Sequence, residues 1–107
     1  MELNQYSIVL VNLDPTIGSE IKKTRPCAVL SPNELNKFLR TIVVAPMTTN
    51  LKRYPTRVEV KHNDIKGMIA IDQIRTIDKS RVIKQYDRLS KFEIQKCKDI
   101  VRETFVD

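Results

Sequence analysis

The chain has 107 residues and a mass of 12.4 kDa, which accommodates one folded domain spanning 1–107 and leaves no room for a second. At 41% hydrophobic and 30% charged it is too apolar for a disordered polypeptide, yet no run approaches the roughly 18 apolar residues of a bilayer span. Two cysteines, Cys27 and Cys97, are too few for a disulfide-stapled secreted scaffold, no basic-then-apolar leader opens the chain, and the net charge is +6, so a cytoplasmic protein is the expectation.

Short strands broken by turn chemistry dominate the first 89 residues. Tyr6 to Leu13 is β-rich and is closed by the Asp14-Pro15 turn signal. Pro26–Leu30 and Thr41–Ala45 are short apolar runs of the kind buried on both faces. Thr56–His62 alternates, placing Val58 and Val60 on one face and Arg57, Glu59 and Lys61 on the other. Asn63–Lys66 is expected to turn, Gly67 to relax that turn, and Met68–Ile71 to return. Asp72–Ile77 reads as a further extended stretch, and Val82-Ile83 begins another. Some six short strands with connections too short for helical crossovers give a mainly β fold with flanking helices, a small antiparallel barrel.

Both expected helices begin with the same device. Ser31 with Glu34, and Ser90 with Glu93, form capping boxes; Leu30 with Leu35, and Leu89 with Ile94, stand at staple positions; Pro32 suits a first helical turn. The C-terminal helix carries Ile94, Cys97, Val101 and Phe105 along one side, with Ile100 flanking, as a packing stripe.

Several chemistries are excluded by what is missing. His62 is the only histidine, so no two-histidine ribonuclease site fits within one chain, and its place near the end of a basic strand suits a surface residue better than a Ser-His-Asp triad. Cys27, His62 and Cys97 are too scattered for zinc, and Asp72 with Asp78 are weak evidence for a metal pair. No phosphate-cradling glycine loop is present. An enzyme built on this chain works with Arg, Lys, Thr and carboxylate groups, without metal or cofactor.

The charge is concentrated. From Glu20 to Lys61 there are nine bases and three acids, whereas the segment from Ser90 onward is balanced at four of each, which favours a polyanionic partner. Three segments stand out beside this surplus: the turn-rich Leu13–Glu20, Lys23-Thr-Arg-Pro26, where Pro26 biases Arg25 toward extended backbone, and Ala45-Pro-Met-Thr-Thr49, which ends a buried strand with hydroxyls. Taken singly, each has a plain alternative: Arg25 as a salt-bridge partner of Glu20, Thr48 as a strand end, the loop as a connector.

Taken together, Leu13-Asp-Pro-Thr-x-Gly-Ser-Glu20, Thr24-Arg-Pro26, Val29-Leu-Ser31, Asn36, Pro46-x-Thr48, Gly67 and Asp72-Gln-Ile-Arg-Thr-Ile-Asp78 resemble, in order and spacing over roughly residues 5–105, the MazF/PemK-type toxins of bacterial toxin–antitoxin pairs. The resemblance implies an SH3-like barrel, a two-fold homodimer with a substrate groove at its interface, and sequence-selective endoribonuclease activity on messenger RNA. It also implies Arg25 and Thr48 as the catalytic pair, and an antitoxin with an acidic, partly disordered tail as partner. Ile21, Lys22 and Lys23 depart from the pattern, standing where relatives often carry small or glycine residues, which bears on RNA preference and not on the reaction.

That chemistry suits these residues. Attack of a 2′-hydroxyl on the neighbouring phosphorus, with the 5′-oxygen leaving, yields a 2′,3′-cyclic phosphate and a 5′-hydroxyl end. Charge grows on the phosphoryl oxygens, where a planar donor such as Arg25 and a hydroxyl such as Thr48 are well placed to bond. An arginine is a poor base, so Arg25 stabilises charge or protonates the leaving oxygen, and Glu20 is the candidate base. Lys22, Lys23, Lys52, Arg53 and Arg57 are candidates for tracking phosphates, Tyr54 for stacking on a base or packing on Pro55, and Gln73 for reading a base edge or making a structural bond. Leu35, Phe38 and Leu39 are candidates for a dimer contact. The rival functions are a gyrase-poisoning toxin of the same barrel and a non-catalytic RNA-binding barrel.

Overall fold

The computed structural model describes residues 2–50, 54–62 and 65–106. Among the described residues there are seven strands: β1 (Ser7–Asn12), β2 (Thr24–Val29), β3 (Thr41–Thr48), β4 (Arg57–His62), β5 (Ile65–Ala70), β6 (Arg75–Asp78) and β7 (Val82–Arg88). Two α-helices join them, α1 (Asn33–Phe38) and α2 (Lys91–Val101). The strands run in the order β4-β5-β3-β2-β1-β7, with β6 also paired to β3, as one curled antiparallel sheet. No helix among the described residues is long and apolar enough to cross a membrane.

Burial on both faces explains the apolar runs of the central strands. Ile8 of β1, Ala28 of β2 and Ala45 and Met47 of β3 enter one core, shared with Val58 and Val60 of β4, with Ile69 and with Ile94 and Cys97 of α2. Their alternating neighbours Val9, Val11, Cys27, Val29, Ile42 and Val44 enter a second core with Leu3, Leu13 and Ile77 on the opposite face. Each fully buried Val or Ile contributes roughly 1.5–3 kcal/mol.

The second capping box forms as expected. Glu93 N–H donates to Ser90 Oγ at 3.1 Å and Ser90 N–H to Glu93 Oε1 at 2.9 Å, while Glu93 Oε2 accepts from Lys61 N–H at 3.3 Å and ties α2 to β4. At α1 the expected box does not form, and no side chain caps that helix. The Ser31 hydroxyl is committed elsewhere, donating to Asn36 Oδ1 at 2.6 Å and accepting from Val43 N–H at 3.0 Å inside the protein. Asn36 Nδ2 in turn donates to Leu3 O and Ser31 O.

Three further expectations are corrected. Gly67 lies within β5, opposite Val60, and relaxes no turn. The stretch expected to be extended from Asp72 opens instead with a 3-10 turn, Ile71–Gln73, before β6 begins at Arg75. Phe105 leaves the α2 stripe and is 57% exposed, because the helix widens to π winding over Arg102–Val106 and rotates the last positions away from the core.

Candidate active site

The mouth of the sheet is made where β2 and β3 part. Their bonded register runs Val29↔Val44, Ala28↔Ala45 and Cys27↔Pro46, and stops there. Leu30 N–H donates to Val43 O, so Pro26 stands at a β3-facing position of β2 and has no N–H to give there, and the ladder lacks a donor at its next step. Beyond Pro46, β3 pairs with β5 instead, through Met47↔Ile69 and Thr48↔Met68. Arg25 follows the same strand face as Cys27, and Thr48 the same face as Val44 and Pro46, two residues beyond the last β2–β3 pair in each strand. Residues far apart in sequence, one early in β2 and one at the end of β3, thus lie at the same end of the two strands, just past their last bonded pair. Both side chains are half-buried. Arg25 Nε donates to Lys22 O at 3.4 Å, and Thr48 Oγ1 accepts from Asn50 N–H at 3.2 Å.

The β1–β2 loop overhangs this rim and is held at several points. Arg81 Nη1 donates to Asn12 O at 3.2 Å and Asp14 O at 2.5 Å, Arg75 Nη1 to Leu13 O at 3.1 Å, and Lys23 N–H to Asp14 Oδ1 at 2.9 Å. Neither Arg75 nor Arg81 stood out in the sequence as a loop anchor, because their acceptors are main-chain oxygens more than 60 positions away. Gly18 turns the loop tip with φ 59°, and Ile17 N–H donates to Glu20 Oε1 at 2.7 Å. Lys23 also adopts a left-handed φ of 71°, a conformation that favours glycine, at one of the positions where this chain departs from the family pattern. No ion pair joins Glu20 to Arg25 among the described residues.

Gln73 makes the structural bond that was its alternative role. Its Oε1 accepts from Ile21 N–H at 2.8 Å and fastens the loop to the 3-10 turn, leaving its amide NH2 unpartnered among the described residues. Ser19, Glu20, Ile21, Pro46, Asp72, Gln73, Ile74 and Arg75 line a pocket of about 350 Å³ between the loop and that turn. Lys22 and Lys23 are exposed on the same loop, and Tyr54 is 43% exposed, with the Arg57 guanidinium 5.1 Å from its ring centre. Lys52 and Arg53 lie outside the described residues.

Arg57 is corrected as a phosphate-tracking group. Its Nε meets Asp72 Oδ1 at 2.8 Å and its Nη2 meets Oδ2 at 3.3 Å, so its charge is largely spent inside the protein. Burial works to raise the Asp72 carboxyl, but hydrogen bonds from Arg57 and Thr56 and the Arg57 charge outweigh it and hold Asp72 below the usual carboxylate range. Asp78 is also held low, by hydrogen bonds from the Ser80 side chain and backbone. The two aspartates thus serve separate partners, and the described residues contain no group of three His, Cys, Asp or Glu arranged to hold a metal ion. Burial pushes the Cys27 and Cys97 thiols up to about 12, as befits core residues.

Comparison with known proteins agrees with this architecture. The sequence profile of the family described as PemK-like, MazF-like toxin of type II toxin–antitoxin system matches residues 4–105. Endoribonuclease MazF of Staphylococcus epidermidis is 32% identical, with 92% of this chain and 89% of that protein covered. The same enzyme of Staphylococcus saprophyticus is 30% identical, with 92% and 88% covered. Among solved structures, MazF from Deinococcus radiodurans superposes with a TM-score of 0.88 at 24% identity, covering 96% of each chain. A mycobacterial endoribonuclease in complex with its cognate antitoxin superposes with a TM-score of 0.80 at 18% identity, covering 94% of this chain and 92% of that one. With its profile matched along nearly its whole length and its barrel shared, the chain belongs to the PemK-like, MazF-like toxins of type II toxin–antitoxin systems.

Proposed function

We propose that this chain is the endoribonuclease toxin of such a pair and cleaves single-stranded messenger RNA to 2′,3′-cyclic phosphate and 5′-hydroxyl ends. The observation that supports the reading is that Arg25 and Thr48 both lie just past the last β2–β3 pair, Cys27↔Pro46, at the same end of the sheet. In the proposed reaction a ribose 2′-oxygen forms a bond to phosphorus and the bond to the 5′-oxygen breaks. The Arg25 guanidinium and the Thr48 hydroxyl donate to the phosphoryl oxygens as their charge grows. Glu20 takes the 2′ proton, using the carboxylate oxygen that Ile17 leaves open, and the departing 5′-oxygen takes a proton from solvent to leave as a hydroxyl. Lys22 and Lys23 draw the phosphates to the rim, and the Gln73 amide NH2 faces the substrate as a donor.

The partner assignment follows the same charge logic. An antitoxin with an acidic, partly disordered tail folds onto the basic rim and blocks it. The exposed apolar side chains Leu35, Phe38 and Leu39 supply the surface for pairing two copies as a homodimer in the cytoplasm.

The test is incubation of the purified protein with a long RNA in EDTA, followed by mapping of cut sites and end groups. Cyclic-phosphate and 5′-hydroxyl ends are expected, and Arg25→Ala should lower the rate by about 10²–10³ with the fold intact. Intact RNA, or an Arg25→Ala variant that still arrests growth, would favour a protein-directed poison of the same fold.

A further inference from the structure

On the far side of the Arg57–Asp72 pair lies a second groove, of about 360 Å³, between β4 and α2. Asp72 lines the pocket beneath the β1–β2 loop, while its partner Arg57 lines this groove, so the two are separated by one ion pair. The chain leaving β3 after Thr48 reaches Tyr54 at the groove's border before entering β4.

Two aromatic rings stand in it, each with a cation over its face. Arg57 lies 5.1 Å from the Tyr54 ring centre, and Lys96 lies 6.0 Å from that of Phe92. Phe92 is 73% exposed and has no part in the α2 packing stripe, which runs through Ile94 and Cys97 on the other side of the helix. Core packing therefore gives no reason for a large apolar ring at this position. The carboxylate in the lining, Glu59, lies 3.8 Å from Lys61, which offsets its charge.

We propose that this groove is an extension of the RNA track, in which nucleotides outside the scissile step stack on Phe92 and Tyr54 while Lys96 holds a phosphate. Flat aromatic faces suit unpaired bases of any sequence, because every base presents a π-face, and Lys96 supplies a cation for the anionic linkage between them. Adjacency to the loop pocket, one ion pair away across Arg57 and Asp72, favours the same RNA strand over a separate partner. The inference rests on the nuclease reading and adds to it a dependence on substrate length.

The experiment compares cleavage of a short oligonucleotide of about five nucleotides with a longer one of about fifteen sharing its cut site, for the wild type, Phe92→Ala and Lys96→Gln. Phe92→Ala should raise KM for the longer strand about tenfold and leave kcat and the short-strand constants unchanged. Lys96→Gln should reduce the salt slope of longer-strand binding by about 0.7. Equal KM shifts on both substrates, or none on either, would overturn the proposal. So would variants that weaken binding of the antitoxin alone, which would assign the groove to that protein. A wild type that cuts neither strand would instead overturn the nuclease reading, and this extension with it.

Discussion

Gly67 presses against Thr48: a β-carbon placed on Gly67 would stand 2.9 Å from the Thr48 carbonyl oxygen and 3.4 Å from Met47 Cε. The missing side chain lets β5 close on the end of β3 and so sets the height of the Thr48 hydroxyl at the rim. Gly67→Ala must push the Thr48 backbone aside by a few tenths of an ångström. The expected outcome is a fall in kcat of about tenfold, from misplacement of a bonding group. A stability loss of about 1–3 kcal/mol from overpacking should accompany it. Single-turnover cleavage and urea unfolding measure the two separately.

Gln73→Leu removes the acceptor for Ile21 N–H while keeping the bulk of the side chain. The loop should loosen by about 1 kcal/mol, the ordinary net worth of such a bond, so exchange of the Ile21 amide should speed up roughly fivefold. Hydrogen exchange followed by NMR reads this directly, and unchanged exchange would show that the loop is held by Arg75 and Arg81 without help from Gln73.

Asp72 links stability to pH. Its folded carboxyl titrates below the unfolded one, so its contribution is fully present above the unfolded value near 3.9 and is lost as the pH falls through the lower, folded value. The melting temperature of Asp72→Asn should therefore lie below that of the wild type at neutral pH, and the gap should narrow below about pH 4. A gap that persists undiminished at acid pH would mean that the Asp72 charge has little part in it.

Asn36→Ala deletes the centre of a buried network, leaving Ser31 and the Leu3 carbonyl short of partners. Destabilisation of about 1–3 kcal/mol is expected, with catalytic constants per folded molecule unchanged. Urea titration and active-fraction measurements test both halves.

Legibility of the fold followed the range of the forces. Strand alternation at Val58 and Val60, the doubly buried runs of β2 and β3, and the Ser90–Glu93 box depend on neighbours in the chain and were readable from it. An identical Ser-x-x-Glu pattern at Ser31 came out otherwise, because Asn36 and Val43 claim the hydroxyl through tertiary contacts. The same limit applied at the site. Arg25 and Thr48 were identified by resemblance, and their place at one end of the β2–β3 pair emerges only when the two strands are laid together. The Arg57–Asp72 pair joins positions 15 apart and the Gln73–Ile21 bond positions 52 apart, so neither left a local signature. Phe92 and Lys96 read as ordinary helix surface until the fold placed them beside Tyr54.

The proline at the start of β2 has a consequence for how durable the opening is. A gap between two ordinary strands is always at risk of healing, since drifting backbones meet and zip together. Here Pro26 denies that closure the hydrogen β2 would supply at the next step, so the seam is less easily sealed once the sheet assembles. Replacing Pro26 by an ordinary amino acid would restore that donor and invite the strands to zip one step further, crowding the arginine and threonine without touching either of them.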